Sequence, residues 1–134
     1  MTILFIEDEL QRNAALVEYF ELVEEWKVIL AASPREAVEC METQGGEIDV
    51  VLLDIMMPPD EVVDISLSNH GRDTGTLLIS RIEEELPGIP IVILTARREY
   101  RAPESQSVKE VLYKPKSPRE VVKVLKDFGS SSHD

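Results

Sequence analysis

The 134-residue sequence predicts an α/β fold, an open, doubly wound sheet of five parallel strands with helices on both faces. Two observations support this prediction. Short apolar segments alternate with segments of helical periodicity, which favours parallel strands joined by crossover helices. The apolar segments are also nearly continuous, as in VVLL at 50–53, which is typical of strands that are buried on both faces. In such sheets the functional crevice lies at the carboxyl ends of the strands.

Five segments are predicted as strands, because each is short, apolar and bounded by polar or turn-forming residues. They are residues 2–6, 27–32, 48–56, 90–96 and 108–113. The last of them is the weakest of the five predictions.

Four segments have helical periodicity, namely residues 9–26, 33–46, 74–86 and 117–128. The second and fourth open with the same Ser-Pro-x-Glu motif, in which Ser33 or Ser117 is the N-cap and the glutamate closes a capping box. The first is predicted to bury a broad apolar side, formed by Leu10, Ala14, Val17, Phe20 and Val23.

Two stretches interrupt the alternation of strands and helices. Residues 58–73 form an extended loop after the third strand, longer than a usual βα connection. Its apolar residues, Val62, Val63, Ile65 and Leu67, suggest a short helix, a lid or a partner contact. Its acids are expected to face solvent: Asp60, Glu61, Asp64 and Asp73. Residues 97–107 replace the fourth crossover helix, because Pro103 and the polar sequence shorten or remove it.

Composition excludes several classes of partner. The formal charge of −12, from 14 basic and 26 acidic residues, disfavours nucleic acid and anionic membrane surfaces. The single cysteine, Cys40, fits a reducing compartment. The chain lacks a signal-peptide pattern and any membrane-spanning apolar run, so we expect a cytoplasmic protein. We divide it into a domain at 1–128 and a disordered tail at 129–134.

Charged and hydroxyl side chains stand where the predicted parallel strands end. Glu7 and Asp8 follow the first strand, Asp54 lies at the end of the third, Thr95 at the end of the fourth and Lys114 after the fifth. Because these ends share one edge of the sheet, the side chains can converge. Crowded carboxylates repel one another, and a hard divalent cation such as Mg²⁺ would remove that repulsion.

This set of groups suits phosphoryl transfer. Asp54 would act as the nucleophile and form an acyl phosphate. Mg²⁺ would neutralise the attacking carboxylate and the phosphoryl oxygens, while Lys114 and Thr95 would hold the remaining phosphoryl oxygens.

Four motifs together resemble the receiver domain of a two-component response regulator of the CheY-like family. They are ILFIEDE, DVVLLDIMMP, PIVILTA and YKP, and they occur in the family's order over nearly the whole chain. The resemblance implies a flavodoxin-like sheet with strand order 2-1-3-4-5. It also implies phosphorylation of Asp54 by a sensor histidine kinase or a histidine phosphotransfer protein. No nucleic-acid or membrane partner is implied.

The resemblance also assigns roles to the other motif residues. Glu7 and Asp8 would form the acidic pair, and the Met56 carbonyl would complete the ligands of Mg²⁺ or Mn²⁺. The Thr95 hydroxyl would move on phosphorylation. Lys114 would contact the phosphoryl group, and its bond to the following proline is expected to be cis.

The sequence departs from the family pattern at several points. Glu7 replaces the usual aspartate, and Val111 stands where the family commonly has an aromatic switch residue. The extended loop at 58–73 and the shortened crossover at 97–107 are further departures. An unusual output surface is therefore predicted.

Three functional hypotheses remain open at this stage. The first is a stand-alone phosphoacceptor domain that signals through protein contact, and this chain would not be an enzyme with a separate substrate. The second is a receiver-like binding module that works without phosphorylation. The third, an aspartyl-nucleophile phosphohydrolase, is disfavoured because haloacid-dehalogenase-like enzymes need a second acid where this chain has Met56.

Overall fold

A computed structural model describes residues 1–129 and confirms the predicted architecture. The parallel strands lie in the order β2-β1-β3-β4-β5, which is the predicted flavodoxin-like order. Their bounds are β1 Thr2–Ile6, β2 Lys27–Ala31, β3 Val50–Leu53, β4 Ile91–Thr95 and β5 Val108–Tyr113. The third strand is thus shorter than predicted, and Asp54 follows it directly.

Within residues 1–129, four α-helices accompany the sheet: α1 Ala14–Glu18, α2 Pro34–Gln44, α3 Thr74–Glu85 and α4 Pro118–Gly129. Both predicted caps form. The Ser33 hydroxyl accepts the Glu36 N–H at 3.1 Å. At the start of α4 the Ser117 hydroxyl accepts the Glu120 N–H at 3.2 Å, and the Glu120 carboxylate accepts the Ser117 N–H at 2.9 Å. These reciprocal bonds satisfy N–H groups that a helix start leaves unpaired.

In the described part of the chain, the buried apolar side chains form two clusters, one on each face of the sheet. Alternate residues along a strand point to opposite faces, so Leu4 and Ile6 enter the cluster beneath α2 and α3. Ile3 and Phe5 enter the cluster beneath α1 and α4. All four are fully buried, which accounts for the unbroken apolar runs in the sequence.

The prediction of one helix over residues 9–26 is wrong at both ends. Residues before Ala14 form tight turns, in which the Arg12 and Asn13 N–H groups bond to carbonyls three residues back. After α1 the chain widens into a π-helical turn, Tyr19–Val23. A π turn holds more residues than an α turn, so the 3.6-residue pattern no longer predicts which side chains face the core. Val23, predicted to be buried, is 58% exposed.

The predicted tail also begins one residue too early. Gly129 is the last residue of α4, and a Cβ at this position would contact the side chains of Met1 and Val50. The remainder of the predicted tail, 130–134, lies outside the described residues.

The loop at 58–73, called the insertion below, is anchored to the rest of the fold. The Asp60 carboxylate accepts the Arg35 N–H at the start of α2 at 3.0 Å, and Glu61 forms a salt bridge with the Arg35 guanidinium. Asp64 caps a 3₁₀ turn at Ile65–Leu67, the short helix that the apolar residues suggested. Glu61 and Asp64 are exposed, as the sequence predicted, whereas Asp60 and Asp73 are half-buried, and all four acids have specific partners.

Candidate functional site

The polar residues at the strand ends are brought together by the register of the sheet. Ile6 of β1 pairs with Leu53 of β3, so the residues that follow these strands are neighbours. The Asp54 N–H donates to the Ile6 carbonyl at 3.0 Å, which continues the ladder one step past the strand. Similarly, the Lys114 N–H donates to the Thr95 carbonyl at 2.8 Å.

Three carboxylates form a compact acidic cluster at this edge of the sheet. Ligand atoms of Glu7, Asp8 and Asp54 all lie within 4.8 Å of one another. Glu7 is 2% exposed and Asp54 is 6% exposed, whereas Asp8 is only partly buried. Carboxylates that lie this close together and are largely buried away from water need a counter-charge to remain ionised together.

Lys114 supplies one positive charge. Its ammonium donates to Asp54 Oδ2 at 3.3 Å and to Glu7 Oε2 at 3.4 Å. Burial alone would lower the pKa of Lys114, but attraction to Asp54 and Glu7 outweighs it and the pKa is raised. One ammonium therefore serves two carboxylates, and the cluster keeps an excess of negative charge.

Burial and this excess of negative charge together raise the pKa values of the other acids. Burial raises the pKa of Glu7 to about 7, and a hydrogen bond and charge repulsion from Asp54 add to the effect. The pKa of Asp8 is also raised, first by burial and then by the charge of Glu7. Both shifts mean that the carboxylates compete for charge in the absence of a cation.

The residues present fit a small, hard cation. Asp54 Oδ1 is buried and has no hydrogen-bond partner among the described residues. An orphaned buried carboxylate oxygen is costly, and a metal ion is one partner that would satisfy it. Since all three candidate ligands are carboxylates, the donor set suits Mg²⁺ or Mn²⁺.

Thr95 lies at the same edge, but its hydroxyl is engaged elsewhere. The residue is fully buried at the end of β4, and its Oγ1 accepts the Arg97 N–H at 3.2 Å. Within residues 1–129 this hydroxyl makes no hydrogen bond to the acidic cluster. Thr95 is thus positioned by the strand, with its side chain turned to the backbone that follows.

Met56 lies two residues beyond Asp54, in a segment against which the start of α3 packs. The Gly75 N–H donates to the Ile55 carbonyl at 2.8 Å. A Cβ on Gly75 would lie 2.6 Å from the Ile55 Cα and would overlap the Asp54 carbonyl oxygen. Glycine at this position therefore lets α3 support the backbone that carries Asp54 and Met56.

Arg97, two residues after Thr95, ties the crossover to the insertion. Its guanidinium donates to Asp73 Oδ1 at 2.7 Å and to the Arg72 carbonyl at 2.8 Å. Asp73 is the N-cap residue of α3, yet its side chain makes no capping bond, because its carboxylate is held by Arg97. Asp73 is therefore not the solvent-facing charge that the sequence suggested.

Tyr100 completes this contact, and the pair Arg97–Tyr100 is called the clasp below. The Tyr100 ring is 4% exposed and lies 5.5 Å from the guanidinium carbon of Arg97. Its hydroxyl is 2.8 Å from the Thr76 hydroxyl on α3, and its carbonyl accepts the Tyr113 hydroxyl at 2.8 Å. Tyr100 lies in the apolar cluster beneath α2 and α3, and Val111 packs against that cluster. Tyr100 therefore contributes an aromatic ring that Val111 does not.

Sequence reasoning missed the clasp and Gly75. The only available signals were an aromatic residue in an otherwise polar crossover and a glycine at the start of a predicted helix. Neither signal identifies its partner, because both contacts join segments distant in sequence. The Lys114–Pro115 peptide bond, by contrast, is cis, as the family resemblance implied.

Comparison with known proteins gives a consistent result. The family model of the response regulator receiver domain matches residues 3–126. No curated protein matches the chain by sequence. Among residues 1–129, no helix has both the length and the apolar character required to cross a membrane.

Solved structures similar to this chain have the same fold. A CheY-like receiver domain from Methanospirillum hungatei superposes with a TM-score of 0.74 at 18% identity, covering 98% of this chain and 95% of that chain. CheY in the CheX–CheY–BeF₃–Mg²⁺ complex of Borrelia burgdorferi gives 0.71 at 22% identity, covering 95% and 87%.

A third structure is the receiver domain of a Pseudomonas aeruginosa sensor histidine kinase, with a magnesium ion coordinated in its active-site cleft. It gives a TM-score of 0.70 at 25% identity, covering 96% of this chain and 97% of that chain. Because the family model spans nearly the whole sequence and the fold agrees, the chain belongs to the response regulator receiver domains of two-component signalling.

Proposed function

We propose that this receiver domain accepts a phosphoryl group on Asp54 and signals through a changed affinity for a partner protein. The observation that carries the proposal is the buried Asp54 carboxylate, which has one oxygen bound to Lys114 and the other without a partner in the described chain. A purely structural carboxylate in this position would have both oxygens satisfied.

In the proposed reaction, an Asp54 oxygen attacks the phosphorus of a phosphohistidine on a sensor kinase or a phosphotransfer protein. The new P–O bond forms as the P–N bond breaks. The released imidazole takes up a proton from solvent, and the product on this chain is an acyl phosphate.

Glu7, Asp8, Asp54 and the Met56 carbonyl would hold the cation. When bound, Mg²⁺ or Mn²⁺ neutralises the carboxylates and the phosphoryl oxygens. The magnesium ion in the Pseudomonas receiver domain supports this assignment. The raised pKa of Glu7, caused first by burial and then by Asp54, supports it as well, because a bound cation would stabilise the ionised carboxylate.

Lys114 has two roles in this scheme. Before transfer its ammonium holds Asp54 in place, and after transfer it is close enough to bind a phosphoryl oxygen. The Thr95 hydroxyl accepts the Arg97 N–H and keeps its own hydrogen to donate to a phosphoryl oxygen, and a rotation of the side chain towards Asp54 would break the Arg97 bond. Loss of this bond would free the backbone of Arg97, so phosphorylation of Asp54 would alter the clasp and the insertion. We take the clasp and the insertion together as the output surface.

Small-molecule phosphorylation tests the proposal without the cognate kinase. The protein is incubated with Mg²⁺ and acetyl phosphate or phosphoramidate, and its intact mass is measured. We expect one phosphoryl adduct on the wild type and none on Asp54→Asn. Asp127→Asn is the matched control, because Asp127 is an exposed aspartate on α4.

Three results would contradict the proposal. A wild type that binds Mg²⁺ but forms no adduct would indicate a binding module that works without phosphorylation. An adduct that persists in Asp54→Asn would place the chemistry on another residue. Turnover of an unrelated phosphoester would instead favour a hydrolase.

A further inference from the structure

The start of α3 lacks the N-cap bond that its sequence offers. Asp73 stands at the N-cap position, where aspartate is among the preferred residues because its carboxylate can accept an N–H of the first turn. Here that carboxylate makes no capping bond, and its Oδ1 lies 2.7 Å from Nη1 of Arg97 instead. The ion pair and the cap therefore compete for one side chain.

The first turn of α3 contains polar groups without partners. An N-cap side chain bonds to the second or third N–H of its helix. The second, on Gly75, already donates to the Ile55 carbonyl at 2.8 Å. The third, on Thr76, has no hydrogen-bond partner within residues 1–129. The buried hydroxyl of Thr74 has none there either. The start of the helix is thus left undersatisfied while Arg97 holds Asp73.

The segment before Asp73 has an uncommon backbone conformation. Asn69, His70 and Gly71 have φ angles of 53°, 56° and 87°, in the left-handed region that residues other than glycine seldom occupy. The Asp73 N–H closes this left-handed turn by donating to the Ser68 carbonyl at 2.8 Å. The ψ angle of Asp73 is 13°, whereas an N-cap residue is typically extended. Capping of α3 therefore requires rotation of the backbone at Asp73, which would open the left-handed turn.

We propose that Asp73 is a two-position switch between the insertion and α3. In the first position, which the structure shows, its carboxylate pairs with Arg97 and the left-handed turn is closed. In the second, the carboxylate leaves Arg97 and caps α3 by accepting the Thr76 N–H, and the end of the insertion opens. Because each position gains a bond that the other loses, a small change at Arg97 can select between them.

Phosphorylation would set the switch, and this step rests on the function proposed above. The Arg97 N–H donates to the Thr95 hydroxyl at 3.2 Å, while the guanidinium of the same residue holds Asp73. Rotation of Thr95 towards a phosphoryl group on Asp54 would break the first of these bonds. The backbone from which the guanidinium extends would then shift, and Asp73 would move to the capped position. A partner that recognises the phosphorylated protein would thus meet an opened insertion.

Amide hydrogen exchange measured by NMR tests the switch, because its two positions protect different N–H groups. Arg97→Ala should raise the protection of the Thr76 N–H at least about fivefold, since the freed carboxylate caps it. The same substitution should lower the protection of the Arg72 and Asp73 N–H groups about tenfold, since the left-handed turn opens. General loosening of the loop would lower the protection of all three. Changes of opposite sign therefore identify the switch.

Two further variants assign the cap to the side chain of Asp73. Addition of Asp73→Ala to Arg97→Ala should return the Thr76 N–H to at least the wild-type exchange rate, because alanine cannot cap. Asp73→Ser alone should protect Thr76 as Arg97→Ala does, because serine caps a helix but forms no ion pair. Arg98→Ala is the matched control, because Arg98 is an exposed arginine of the same crossover, and it should leave these N–H groups unchanged. Circular dichroism verifies that every variant is folded.

Beryllofluoride with Mg²⁺ tests the link to Asp54, because it mimics a phosphoryl group on a carboxylate. Its binding is followed by fluorine NMR, and the bound wild type should show the exchange changes of Arg97→Ala. Bound protein with unchanged exchange would overturn the link.

The variants decide the switch itself. A Thr76 N–H that loses protection in Arg97→Ala overturns it, and so does a gain of protection that survives the removal of the Asp73 carboxylate. Failure of beryllofluoride to bind would contradict phosphorylation of Asp54 instead, and the exchange rates of the variants would still decide the switch.

Discussion

Replacement of Glu7 by glutamine should change how the stability of the metal-free protein depends on pH. The buried carboxyl has a pKa of about 7 in the fold against an ordinary value of 4.5. The folded state therefore keeps a proton that the unfolded chain releases between these values. In that window stability falls as pH rises, because the unfolded state binds fewer protons than the native state.

The size of the effect follows from the same two values. The difference between 4.5 and about 7 corresponds to roughly 3 kcal/mol of unfolding free energy. The loss begins above pH 4.5 and is complete above about pH 7. Glu7→Gln removes the titrating group but keeps its shape, so its stability should change less over this window. A smaller slope remains, because the pKa of Asp8 is also raised.

Urea unfolding in EDTA at several pH values measures these slopes. Glu84→Gln is the matched control, because Glu84 is an exposed glutamate on α3, and it should follow the wild type. Parallel curves for the wild type and Glu7→Gln would refute the reasoning. Mg²⁺ should restore wild-type stability above pH 7, and its affinity should rise about tenfold per pH unit below that value as one proton is displaced.

Three further substitutions have defined outcomes. Gly75→Ala should lower the unfolding free energy by about 1–3 kcal/mol in the same urea assay, because a Cβ at this position overlaps backbone atoms. Gly46→Ala is the control and should change the unfolding free energy little, because its Cβ meets nothing within 4 Å. Arg97→Ala should speed amide hydrogen exchange of the insertion about tenfold, while exposed Arg98→Ala should not. Lys114→Gln should slow phosphorylation by acetyl phosphate about 10²–10³-fold, followed by intact mass. An unchanged unfolding free energy for Gly75→Ala would contradict the contact on which that prediction rests. The same holds for an unchanged exchange rate in Arg97→Ala and an unchanged phosphorylation rate in Lys114→Gln.

The fold was predictable because its signals are local. Strands buried on both faces need continuous apolar runs, and capped helices need particular residues in their first turn, so each element is encoded in its own segment. The first helix was predicted incorrectly for a related reason. Its apolar pattern was read with a period of 3.6, whereas Tyr19–Val23 adopts a π turn and exposes Leu22 and Val23.

The candidate site was predictable for a different reason. Parallel strands bring their carboxyl ends to one edge, so Glu7, Asp8, Asp54 and Lys114 could be placed together from their positions alone. Contacts between loops follow no such rule. Nothing in the sequence near Arg97 indicates that its guanidinium binds residues more than twenty positions earlier.

The insertion at 58–73 and the shortened crossover at 97–107, both departures from the family pattern, contact each other in the structure. Residues 96–107 contain no helix, so the sheet beside β4 and β5 lacks a crossover helix packed on it. Tyr100 from the crossover and Val63 from the insertion both enter the apolar cluster on that face. Arg97 joins the two segments and takes its backbone position from Thr95. Because Arg97 contacts Thr95, Arg72 and Asp73, a movement of Thr95 that displaces Arg97 would reach the junction of the insertion with α3, whatever residue stands at Val111.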